Sequence, residues 1–213
     1  MLAQLWQSIG LEEFDYSLLM SALSGLQNPR QKVTALLKQG HILRVKKGLY
    51  VWGPLWRRRP VQLEILANLI YGPSLVSGDY ALSLHGLIPE GVSVVTSSGP
   101  KAPKDFNTPL GVFRYQRIPV EYHSLGMNRV ECHSTGFLLA SPERAVCDKL
   151  LEIPGLYRPS RSQLWTLLIQ ELRMDPELIL GLDRSLVADL ALSARSARLR
   201  QLAEILTEQG VRP

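Results

Sequence analysis

Arg30, Gln31, Thr34 and Lys38 recur at three- and four-residue steps, a spacing that gathers them on one side of a helix. Guanidinium, amide, hydroxyl and ammonium groups are the ones that reach base edges and backbone phosphates. Val33, Leu36 and Leu37 fall between them and form an apolar stripe that faces away, and Lys32 adds a further cation. Lys46-Lys47-Gly48 then separates two apolar runs, Ile42-Leu43-Arg44-Val45 and Leu49-Tyr50-Val51-Trp52, which reads as a hairpin with a basic tip and with Arg44 and Tyr50 on its strands. Arg57-Arg58-Arg59 follows. The chemistry implied is contact with a polyanion, and double-stranded DNA is the one that fits a polar helix beside a basic hairpin.

The elements that must position these groups have their own signals. Asp15 caps a helix over residues 16–23, and Ser24-Gly25-Leu26-Gln27 breaks it. Asn28 as N-cap and Pro29 at the first helical position open the next, which Gly40 ends. Helix, turn, polar helix and basic hairpin predict a winged helix-turn-helix over residues 1–58. The 29–39 helix would enter a major groove, and Lys46 and Lys47 would grip phosphate or the adjacent minor groove. One such helix spans few base pairs, so repeated half-sites and two copies of the chain are expected.

Charge is distributed to match. The chain carries a net +5, and residues 1–60 hold nine cations against three acids, a net of +6. The remaining 153 residues are therefore net −1. At 213 residues, 46% of them hydrophobic, the chain suits one large domain or two small ones with real cores. No run approaches the roughly 18 apolar residues of a membrane span. The N-terminus lacks the basic start of a secretory signal. Cys132 and Cys147 make neither a disulfide framework nor a zinc spacing, so no metal or cofactor is expected and the predicted compartment is the reducing cytoplasm.

A Pro- and Arg-rich stretch, residues 54–60, reads as a linker that few contacts should cross. Beyond it a second domain is expected over 61–213, an α+β unit with a small sheet, helical after about residue 141. Leu63, Leu66, Ala67 and Ile70 predict a helix, and Asp79–His85 a shorter one closed by Gly86. Residues 92–96, 111–117, 130–133 and 135–140 predict strands, with Ser97–Lys104 as a loop. Helices are expected from 144, 162, 175, 183 and 193, with Asp183 and Ser193 as caps and Gly210 as the last stop.

Asp79, His85, Glu143, Arg144 and Asp148 could form an acid–base or metal cluster. His85, Glu143, Arg144 and Asp148 also have structural explanations, and a structural role is expected for the group. His85 precedes Gly86, where an imidazole bonds a helix-end carbonyl; Ser141-Pro142 caps a helix, with Glu143 near its positive end. Arg144 and Asp148, four apart, can pair on one face. No Gly-x-Ser-x-Gly, His-Glu-x-x-His or nucleotidyltransferase Gly-Ser pattern is present, so no catalytic residue is assigned.

The order of a winged-helix start, Ser77-Gly78-Asp79-Tyr80-Ala81-Leu82-Ser83-Leu84-His85-Gly86-Leu87, Val92–Thr96 and Ser141-Pro142-Glu143-Arg144-Ala145-Val146-Cys147-Asp148 resembles the AbiEi antitoxins. The resemblance covers about residues 14–150. It implies a regulator of a phage-defence toxin–antitoxin operon that represses its own promoter and counteracts a nucleotidyltransferase-type toxin. A DNA-acting nuclease and a toxin-binding module with secondary DNA binding are the alternatives.

Overall fold

The computed structural model describes residues 2–133 and 135–209. It is a mixed α+β chain with a three-stranded sheet, a six-stranded sheet and ten α-helices among the described residues. Helix α1 (Leu2–Ile9) and strand β1 (Glu13–Asp15) come first, and neither was expected from the sequence. Helix α2 (Tyr16–Ala22) starts where Asp15 accepts a hydrogen bond from Leu18 N at 2.8 Å. Helix α3 (Pro29–Lys38) begins at Pro29, although the Asn28 side chain makes no capping bond. Strands β2 (Ile42–Lys46) and β3 (Leu49–Trp52) form the hairpin, and β1 joins β3 antiparallel to give the order β1-β3-β2.

All four residues of β3 are buried because the strand is covered on both faces. Tyr50 and Trp52 point into a core with Leu5, Ile9, Phe14, Leu19, Val33 and Leu36. Leu49 and Val51 alternate to the other side, where they join a larger core with Ile65, Leu66 and Ile70. The hairpin is therefore a shared wall, and residues 54–60 are strapped to it rather than hanging free. Arg59 makes a bidentate pair with Glu13 (2.6 and 3.0 Å), Arg58 N donates to Glu12 at 2.9 Å, and Arg57 Nε donates to Trp52 O at 2.8 Å.

Helix α4 (Leu63–Ile70), strand β4 (Leu75–Val76) and helix α5 (Gly78–Leu84) follow. Strands β5 (Val95–Gly99), β6 (Lys104–Thr108), β7 (Gly111–Arg117), β8 (Met127–Cys132) and β9 (Thr135–Ala140) complete the large sheet in the order β6-β7-β5-β4-β9-β8. Strand β6 begins where the sequence suggested only a loop, and its partly exposed Lys-Asp-Phe-Asn-Thr composition marks a sheet edge. Helix α4 lies on one face, where Tyr115 Oη donates to Ala67 O at 2.7 Å. Helix α6 (Pro142–Glu152) lies on the other, where Ser98 Oγ donates to Asp148 at 2.7 Å.

The C-terminal helices are α7 (Arg161–Thr166), continued by a π-helical turn over Leu167–Glu171, then α8 (Pro176–Leu180), α9 (Arg184–Ser193) and α10 (Ala197–Gln209). Among them, α9 and α10 pack on α6, and α7 packs on α10. Asp183 caps α9 as expected, by accepting from Ser185 N and Leu186 N. Ser193 caps nothing; it ends α9, and α10 starts only after Arg195 takes a positive φ of 49°. The expected stop at Gly210 lies outside the described residues. No helix of the described residues is long and apolar enough to cross a membrane.

Candidate nucleic-acid interface

Helix α3 turns Val33 and Leu36 into the first core and leaves Arg30, Gln31, Thr34 and Lys38 exposed, with Lys32 half-buried at the margin. The Thr34 hydroxyl donates back to Arg30 O at 3.2 Å. Among the described residues, the side chains of Arg30, Gln31, Lys32 and Lys38 make no hydrogen bond or ion pair. Four polar side chains therefore stand on a rigid helix with their donors free, and the stem beneath them is locked by packing. The geometry suits a ligand that brings its own acceptors.

The hairpin is less uniform than its sequence suggests. Gly48, at φ 86°, makes the tight tip that only glycine adopts without strain, and the exposed Lys47 beside it is unpartnered among the described residues. Arg44 is exposed, its guanidinium 5.9 Å from the Tyr50 ring centroid. The pairing slips between Arg44 and Lys46, a bulge that turns both Val45 and Lys46 toward α4. Lys46 Nζ donates to Ile70 O there, so it leaves the tip and closes the carbonyl end of α4.

Three of the other expected contact residues are committed within the chain. Tyr50 is buried and stacks on Phe14 with centroids 6.3 Å apart. Arg57 and Arg59 hold Trp52 O and Glu13. Arg58 is exposed, but its guanidinium lies 3.4 Å from the Trp6 ring centroid, a cation–π contact that fixes its direction. Trp6, Glu12 and Glu13, which orient the arginine strap, were not picked out from the sequence. Their signal was available in Leu2, Leu5, Trp6 and Ile9, whose helical spacing predicts α1.

The second cluster of chemically capable residues is buried. Ser141 caps α6 by accepting from Arg144 N at 3.3 Å. One turn on, Arg144 Nε donates to Asp148 at 2.8 Å, and its Nη1 donates to Tyr122 O (2.8 Å), Leu125 O (2.6 Å) and His123 O (3.4 Å). The Tyr122 ring lies under the guanidinium at 3.9 Å. Asp148 also accepts from Ser77 Oγ at 2.6 Å and Ser98 Oγ at 2.7 Å. Gly126, at φ 60°, passes so close that a Cβ there would stand 2.8 Å from Arg144 Cβ. Burial beside Arg144 holds the His123 imidazole below its ordinary range.

The remaining residues considered for chemistry are dispersed around that network. His85 Nε2 meets Ala140 O at 2.7 Å, Glu143 accepts from Asp183 N at 3.1 Å, and Asp79 pairs with Lys149 at 2.7 Å. The Ser77–Leu87 and Ser141–Asp148 segments thus meet through a serine, a carboxylate and a guanidinium that fasten α6 to β4, β5 and the loop before β8. Glu152, one turn beyond Asp148, accepts no hydrogen bond among the described residues. Burial, offset in part by Lys149, pushes its carboxyl up to about 7.

Compared with protein-family models and with curated proteins, the chain has no match.

Proposed function

We propose that the chain is a DNA-binding transcriptional regulator in which residues 1–58 act as a winged helix-turn-helix. The observation that carries the reading is the row Arg30, Gln31 and Lys38, exposed, with Lys32 half-buried at its margin, all unpartnered among the described residues on a helix whose other face is locked into a core. Helix α3 would read base edges in a major groove, with Lys47, Arg44 and Arg58 on flanking phosphates. The similarity to AbiEi antitoxins adds the biological setting: repression of its own promoter from repeated half-sites and opposition to a nucleotidyltransferase-like toxin in the cytoplasm. No catalytic step, metal or cofactor belongs to this reading.

Fluorescence anisotropy with DNA from upstream of the chain's own reading frame tests it. Binding should be tighter than to random duplex and should fall steeply with salt, as expected when cations displace counterions from phosphate. Equal affinity for both duplexes would remove the regulator reading. Cleavage of the DNA on adding Mg²⁺ would replace it with an enzyme. Co-expression with the product of the neighbouring reading frame tests the antitoxin role; rescue of growth supports it and continued toxicity removes it.

A further inference from the structure

Three ammonium groups from the two halves of the chain converge on the C-terminal end of α4. Lys46 Nζ reaches Ile70 O from the hairpin bulge, and Lys101 Nζ reaches Gly72 O from the loop between β5 and β6. The ammonium groups of Lys101 and Lys104 lie 5.3 and 6.0 Å from the Tyr71 ring centroid, and that of Lys104 lies 5.0 Å from the Phe106 centroid. Lys47 follows Lys46 at the exposed tip. Among the described residues none of these four lysines forms an ion pair, while Asp105, the acid next to Lys104, is taken by Arg114. Burial and the charges of Lys101 and Lys104 hold the Lys46 ammonium below the ordinary lysine value.

Like charges gathered without a counter-charge repel, and the repulsion is relieved when an anion arrives. Each ammonium has three N–H donors, so Lys46 and Lys101 retain two after bonding a carbonyl, and Lys104 retains all three. Lys101 and Lys104 are exposed, with aromatic rings beside their charged ends. The residues from 61 onward are net negative, so this patch is a local reversal that adjoins the basic half.

We propose that Lys101 and Lys104 extend the DNA-contacting surface beyond the hairpin. With Lys47 they bind backbone phosphates of the duplex whose bases α3 reads, while Lys46 stays on Ile70 O and adds only its charge to the patch. The inference rests on the DNA-binding reading above, and it assigns to the second half a share of binding that net charge conceals.

The test is salt-dependent anisotropy with the full chain, comparing wild type, Lys101→Gln/Lys104→Gln and Lys101→Arg/Lys104→Arg on operator DNA, random duplex and single-stranded RNA. The glutamine pair should flatten the log–log salt slope by about two, near 0.9 for each phosphate lost. Across a rise from 50 to 200 mM salt, that corresponds to a roughly tenfold smaller change in affinity, on operator and random duplex alike. The arginine pair should keep the wild-type slope. An unchanged slope in the glutamine pair overturns this inference and leaves the role of α3 intact, whereas a wild type that ignores duplex DNA overturns both. A slope lost on RNA but not on duplex assigns the patch to RNA and overturns the proposal. If thermal melting shows the double variant unfolded, Lys104→Gln alone, with no hydrogen bond to lose, should flatten the slope by about one; no change there is equally fatal.

Discussion

Arg30 and Arg144 are the same residue in opposite circumstances. Arg30 stands exposed on α3 with no hydrogen bond from its side chain among the described residues. Arg144 has 0% exposure, a carboxylate on Nε, three backbone carbonyls on Nη1 and a tyrosine ring beneath it. Desolvating a guanidinium is costly, and the partners around Arg144 offset that cost only while all of them remain. A cation held by Nε and Nη1 in this way fastens the fold from the inside, and its one unpartnered nitrogen, Nη2, is buried away from solvent. A cation with an ordered stem and free donors contributes little to stability and is available for binding. The two regions thus separate what keeps the chain folded from what is proposed to recognise DNA, and substitutions should separate the same way.

The largest effect is expected at the buried pair. Asp148→Ala leaves Arg144 charged and without its carboxylate, and strands Ser77 and Ser98, so folding stability should fall by about 3–5 kcal/mol. Urea denaturation measures the loss. DNA affinity of the protein that remains folded should match wild type. Lost DNA binding at unchanged stability would break the comparison, because Asp148 would then belong to the recognising surface.

A second contrast lies within α6 itself. Asp148 accepts three side-chain hydrogen bonds, while Glu152, one turn later, accepts none and has its carboxyl pushed up to about 7, chiefly by burial. A raised carboxyl means the folded chain holds that proton more tightly than the unfolded chain. Its contribution to stability is therefore complete below the ordinary glutamate range, near 4.5, and is lost as pH rises through about 7. Between these values the wild type should lose on the order of 2 kcal/mol of stability, and Glu152→Gln should show no such decline. Chemical denaturation at several pH values measures it. Parallel profiles for the two proteins would mean Glu152 ionises as freely as an exposed carboxylate.

How much of this was readable from residues alone differs between the two regions. The capping of α2 by Asp15, the start of α3 at Pro29 and the exposure of its polar row follow from local spacing, which acts within a turn or two. The spans of β7 and β9 were legible for the same reason, since alternation and β-branched content are local. The Arg144–Asp148 pair was visible as a four-residue step, but its carbonyl partners at Tyr122, His123 and Leu125 come from a loop and have no residue-type signature. Lys46 shows the limit most clearly. Its type and its place in Lys46-Lys47-Gly48 suggest a tip, and a one-residue bulge, set by packing of Val45 on the second core, carries it inward. Tyr50 went inward because β3 is buried on both sides, which a four-residue apolar run allows but does not announce.

At the proposed recognition surface the expected effects are smaller and fall on binding alone. Gln31→Ala removes an amide that can bond an adenine edge and should cost about 1–2 kcal/mol on the cognate operator, with little change on random duplex. Its melting temperature should equal wild type, since Gln31 is exposed and bonded to nothing in the chain. Equal losses on both duplexes would move α3 from bases to phosphates. A fall in melting temperature would show that the side chain supports the fold after all.

The smallest effect isolates the hairpin tip. Lys47 is exposed beside Gly48 and has no partner among the described residues, while its neighbour Lys46 is anchored on Ile70 O. Lys47→Ala should flatten the salt slope by about 0.9, the signature of one phosphate contact, so affinity should change about threefold less between 50 and 200 mM salt. The loss should be the same on operator and random DNA, because phosphate contacts carry no direct sequence information. Stability should not move. Lys46→Ala offers the sharper contrast, since it also removes the ammonium that closes α4 and should lower the melting temperature where Lys47→Ala does not. If both lysines behave alike in melting and in slope, the bulge does not divide them into one that holds and one that binds. The distinction drawn from Arg30 and Arg144 would then fail at the one place where two adjacent cations express it.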